Sequence, residues 1–139
     1  MGWLGWALLS AVFAAATAIL AKIGVAGVDS NLATAIRTSV VVVFAWLIAL
    51  TLGQPGTLHS LSRKTWIFLV FSGLATGLSW LCYFRALQMG PATRVAPIDK
   101  LSVVLVIIFG SLFLHEELTW GKGIGAALIF AGALVIGLD

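Results

Sequence analysis

The sequence predicts an all-α fold: a polytopic membrane protein, built as a bundle of five transmembrane helices. Three observations carry this. Of the 139 residues, 61% are hydrophobic and only 9% are charged, where a soluble domain has about 25% charged residues. Mean hydropathy is +1.13. The apolar residues also gather into five runs, each near the roughly 20 helical residues that a 30 Å hydrocarbon core demands. Little chain is left over for a soluble domain, so the organisation expected is a single transmembrane domain over 1–139.

The first span covers about 3–25 and closes at Lys22, whose long stem can snorkel to the interface. Its AVFAAATAILA stretch has the apolar core of a signal peptide. No basic segment precedes it, however, and every later segment is equally apolar, so it reads as a membrane helix. Gly27-Val28-Asp29-Ser30-Asn31 supplies turn and N-cap chemistry for the second span, about 32–52. GQPG at 53–56 ends that span, and the longest loop follows, with His59, Arg63 and Lys64. The third span covers about 66–89. Gly90-Pro91 then forms a tight hairpin, with Pro91 near the first position of the fourth span, about 92–114. His115-Glu116-Glu117 follows, and Thr119 can cap the fifth span, about 120–138.

Tryptophan supports this threading. Trp3, Trp6, Trp46, Trp66 and Trp120 all fall towards the side on which the first span begins (side A), and only Trp80 falls mid-span. Trp prefers the membrane–water boundary. Orientation is less determined. Arg63, Lys64 and Lys122 lie on side A, Lys22, Arg85 and Arg94 on side B, and Arg37 and Lys100 inside the membrane. A tie of this kind gives the positive-inside rule little purchase. Either the chain inserts both ways or a partner fixes its direction.

Several function classes find no support. HExxH, GxSxG, GxxxxGK[ST] and any Cys/His cluster at metal spacing are absent. No cofactor or metal is therefore expected, and no enzyme. The eight basic residues are scattered, which does not make a nucleic-acid patch. His59 and His115, near span ends, read as solvated or capping residues, and Cys82 lies in an apolar run.

Intramembrane polarity remains. A charge at the centre of a membrane helix costs about 2.5–3.5 kcal/mol, and such residues face protein or water. Arg37 lies about one and a half turns into the second span. Asp99 and Lys100 stand together two residues after Pro97. Pro97 can also break the fourth span, leaving Asp99 to cap a shorter helix, and a break at that depth needs protein or a watery cavity beside it. In the third span, Ser72, Thr76, Ser79 and Tyr83 share one face, which can line a cavity or bond neighbouring helices. Gly73 and Gly77, Gly121 and Gly125, and Gly132 read as close-packing positions. Arg85 and Arg94 read as snorkelling side chains, Glu116 and Glu117 as acids in interfacial water. All the polar spans can contribute to one internal cavity.

Tyr83, Ala86-Leu87, Gly90, the Pro97-containing span, Glu116-Glu117-Leu118-Thr119 and GAALIFAG at 125–132 follow in an order that resembles EamA domains of the drug/metabolite transporter superfamily. Lys22 and Arg37 fit the same pattern. The resemblance covers nearly the whole chain, as a single five-helix unit. It implies multi-pass export or exchange of small metabolites, often amino acids, in the cell membrane. Many such proteins carry two units in inverted orientation, an arrangement that suits a midplane site and alternating access. Unlike the four-helix multidrug exporters of that superfamily, the first span carries no acid. With Arg37 and Lys100 against Asp99, an anionic or zwitterionic substrate fits better than a cation.

The expectation is a secondary transporter acting as an antiparallel homodimer among membrane lipids. Arg37 and Lys100 would hold the substrate's carboxylate or phosphate, and Asp99 its amine or a coupled proton. Ser72, Thr76, Ser79 and Tyr83 would line the path. The alternative is a non-transporting subunit or half-transporter that needs another EamA unit as its partner.

Overall fold

In the computed structural model the described residues are 2–53 and 55–139. The helices are α1 (Trp3–Gly24), α2 (Ser30–Leu52), α3 (Arg63–Met89), α4 (Ala92–Asp99), α5 (Leu101–Phe113) and α6 (Trp120–Leu138), with a 3-10 helix at Pro55–Ser60. Five helical stretches are long and apolar enough to span a membrane, with α4 and α5 together forming the fourth, Ala92–Phe113. The protein is a multi-pass membrane protein.

Local chemistry sets the ends. Gly27 takes a left-handed backbone (φ 73°) between α1 and α2, a conformation that costs glycine nothing. Asp29 then caps α2 by accepting from the Leu32 amide at 3.0 Å. Thr119 does the same for α6 through the Lys122 amide at 3.3 Å. The third helix begins at Arg63, earlier than the apolar run, because the Ser62 hydroxyl accepts the Thr65 amide at 3.1 Å. Arg63 and Lys64 therefore belong to its first turn. His115 at φ 55° reverses the chain so that the Glu116 amide donates back to the Gly110 carbonyl at 3.1 Å.

Backbone contacts gather the chain into two units, Met1–Lys22 with Met89–Asp139, and Ile23–Gln88. In the first, α6 packs along both α4 and α5, and the Lys22 amine donates to the Gly90 carbonyl at 2.9 Å, holding the end of α1 to the hairpin before α4. In the second, the buried residues are Val25, Ser30, Thr34, Phe84 and Leu87. They lie at one end, where α2 begins and α3 finishes. The rest of α2, from 39 to 52, is exposed throughout. In a bilayer, such an apolar surface is covered by lipid or by another helix.

Candidate functional site

The second unit builds its polar layer from two helical faces. Ser30, Thr34 and Arg37 recur along one face of α2. The hydroxyls spend their protons locally: Thr34 donates to the Ser30 carbonyl at 2.8 Å and Thr38 to the Thr34 carbonyl at 2.7 Å. Arg37 sits about 10 Å along the helix from Ser30, at 1.5 Å per residue. Its guanidinium carbon lies 4.2 Å from the Trp80 ring centroid and 5.4 Å from that of Phe84. Trp80 and Phe84 are four residues apart and share a face of α3. Each such contact contributes about 0.5–1 kcal/mol when wet and about 2 when desolvated. Among the described residues, no carboxylate pairs with Arg37. The charge is thus held over two aromatic faces, with Tyr83 of α3 also close enough to interact electrostatically.

The first unit carries the other charges. The Lys100 amide is shared between the Ala96 and Pro97 carbonyls at 3.2 and 3.1 Å, and there α4 gives way to α5. Asp99 does not cap the new helix: Lys100 holds that position, with no side-chain cap bond. Asp99 is the last residue of α4, and its carboxylate pairs with the Lys100 amine at 3.6 Å. Both side chains keep substantial exposure, 57% for Lys100 and 37% for Asp99. The pair lowers the insertion cost of either charge alone and can still open to a third.

Of the α3 hydroxyl residues, Ser72, Thr76 and Ser79 are exposed and Tyr83 is half-buried. The Thr76 hydroxyl donates to the Ser72 carbonyl at 2.9 Å, so its helix satisfies it without a neighbour. A Cβ added at Gly73, Gly77, Gly125 or Gly132 would meet no described atom of its own unit within 4 Å. At Gly121 it would meet only the Thr119 hydroxyl, at 3.9 Å. Close approaches within a unit are found at Gly53, against the Ala49 carbonyl of its own helix end, and at Gly137, where a Cβ would lie 2.6 Å from Ile98 Cδ1. Sequence reasoning passed over Gly137, and it did not pick out Trp80 and Phe84 as the platform of Arg37. The signal for the latter was Trp80 itself, the mid-span tryptophan out of place in an interfacial belt. Among the described residues, no cluster of His, Cys, Asp and Glu is able to hold a metal ion.

Residues 1–138 match the EamA-like transporter family. The chain belongs to that family. The EamA chain is 56% identical over 135 residues to an uncharacterized transporter in the cobO 3'region of Sinorhizobium sp, covering 96% of this chain and 95% of that one. It is 34% identical over 70 residues to the probable 4-amino-4-deoxy-L-arabinose-phosphoundecaprenol flippase subunit ArnE of Aeromonas salmonicida, covering 50% of this chain and 61% of the relative. With the subunit ArnF of the corresponding flippase of Erwinia tasmaniensis the identity is 42% over 65 residues, 45% of this chain and 51% of that one. No solved structure matches this EamA chain.

Proposed function

We propose that this EamA protein is a secondary transporter, an exporter or exchanger, of small anionic or zwitterionic metabolites such as amino acids. It works by alternating access as an antiparallel homodimer. The observation that carries the substrate class is Arg37: a permanent cation held on Trp80 and Phe84 with no counter-ion among the described residues. The rings orient this charge without neutralising it, and a substrate carboxylate or phosphate would do so. The Asp99–Lys100 pair is a second station. A substrate carboxylate can replace Asp99 on Lys100, while the freed Asp99 takes the substrate's amine or a proton. Ser72, Thr76, Ser79 and Tyr83 offer a hydroxyl-bearing face on α3. The glycines at 73, 77, 121, 125 and 132 leave room for another helix to approach.

A second reading is that the chain is a half-transporter or a non-transporting subunit completed by a different EamA unit. The similarity to proteins described as the flippase subunits ArnE and ArnF favours it.

Reconstitution into liposomes separates these readings. The purified chain alone should take up or exchange labelled amino acids, and Arg37→Gln should abolish that flux while leaving helicity intact. Full flux in Arg37→Gln would remove the anion anchor. Absence of flux from the chain alone, restored by a co-expressed EamA unit, would favour the heteromer.

A further inference from the structure

The end of the second unit holds an open recess of about 520 Å³, lined by Asp29, Ser30, Asn31, Leu81, Cys82 and Arg85. Its volume lies within the roughly 300–1,000 Å³ of small-molecule sites. Two opposite charges line it, and neither is loose. One Asp29 oxygen accepts the Leu32 amide at 3.0 Å, which fixes the carboxylate at the edge of the recess. Arg85, read from sequence as a snorkelling side chain, donates from Nη1 to the Gln88 side-chain oxygen Oε1 at 3.1 Å. The Gln88 side-chain nitrogen Nε2 in turn donates to the backbone carbonyl of Val28, the residue before Asp29. A single bridge thus fixes the arginine to the loop that carries the acid. Even so, Asp29 and Arg85 do not form an ion pair: the pair found among the described residues is Lys100–Asp99.

Two fixed, opposite and unpaired charges facing one recess complement a ligand that carries both signs. A bare phosphate would meet the Asp29 carboxylate and a simple amine the Arg85 guanidinium, each a like-charge contact. We propose that this recess binds a small zwitterion of the α-amino-acid type, its carboxylate on Arg85 and its ammonium on Asp29. Asn31 offers a further polar contact, and Leu81 and Cys82 provide a wall for a side chain. The inference rests on the transporter reading above and adds to it a vestibule on side B, separate from Arg37.

The chain has one cysteine, and Cys82 is exposed and lines the recess, so it reports occupancy without an engineered thiol. The full chain in liposomes is offered each of the twenty L-amino acids, and both uptake and the rate of Cys82 modification by a maleimide are measured. The expected result is that an amino acid slows the modification, and that its decarboxylated amine and its deaminated acid require about tenfold higher concentration or more. Asp29→Asn, which keeps an N-cap, and Arg85→Gln should each weaken protection about tenfold with helicity unchanged. Uptake without protection of Cys82 would overturn the recess and leave the transporter standing. Equal protection by the amine or the acid would overturn the zwitterion. Protection without uptake would support the recess and count against transport by the chain alone, and neither with any amino acid would overturn both the recess and amino acids as the substrate.

Discussion

An arginine about 10 Å inside a membrane helix must be matched, and the match here comes from aromatic faces rather than from an acid. The pairing has a consequence for substitution. A guanidinium is planar and stacks, whereas an ammonium is a compact, strongly hydrated point charge. Arg37→Lys is therefore expected to fail as a replacement in liposome uptake, although the charge is kept. Trp80→Leu keeps apolar volume and removes the quadrupole. It should raise the half-saturation concentration about fivefold, for roughly 1 kcal/mol, with the maximal rate less affected; an unchanged uptake curve would detach Trp80 from the site. Arg37 was legible from its depth alone. Trp80 and Phe84 were not legible as its partners, because nothing in one sequence says which face of α3 meets which face of α2. Glycine shows the same gap. Small-residue spacing points to Gly73, Gly77, Gly121, Gly125 and Gly132, and does not point to Gly137, which lies tightly against Ile98. Gly137→Val should lower stability in detergent by about 1–3 kcal/mol through overpacking. Ile98→Ala in the same chain should recover most of that, since touching residues couple.

At the scale of elements, the fourth span is the informative one. Its length and apolar content predicted a single helix, and Pro97 marked where it could break. The structure interrupts it at Lys100, three residues beyond the proline, where one amide is shared by two carbonyls. Proline withholds the N–H that would bond the Thr93 carbonyl, and that weakens the turn into which Asp99 and Lys100 project. Pro97→Ala restores this donor and removes a penalty of about 3 kcal/mol. Amide hydrogen exchange at 98–101 should slow at least tenfold, and substrate flux should fall if the break is the moving part. Faster or equal exchange would show that the junction owes nothing to the proline. The hydroxyl-rich faces were legible as polar but ambiguous in role. Thr34, Thr38, Ser39, Thr51 and Thr76 each donate to the carbonyl four residues before. That local bond is available wherever the backbone is helical and needs neither a cavity nor a neighbour, so a hydroxyl stripe by itself says little about what lies beside it.

For the molecule as a whole, the proposed alternating access calls for an inverted partner unit. With five spans, a second copy in the same orientation gives no inversion, whereas an oppositely inserted copy does. The basic residues permit both insertions: Arg63, Lys64 and Lys122 on side A stand against Lys22, Arg85 and Arg94 on side B. Orientation follows lysine and arginine in short loops, so a few added charges should lock it. Leu58→Lys with Leu61→Lys loads side A at exposed positions, and Ala26→Lys with Met89→Lys loads side B. Tags on both termini should show each double variant inserted one way and the parent chain inserted both ways. An antiparallel homodimer then requires a specific pattern of function: each locked variant inactive alone, and flux recovered when the two are expressed together. A locked variant that transports by itself would mean that inversion is not needed. A parent chain found in one orientation, with flux appearing only beside another EamA unit, would make the active species a heteromer, and the residues of α3 and α6 that face no atom of their own unit would then be the surface that such a partner covers.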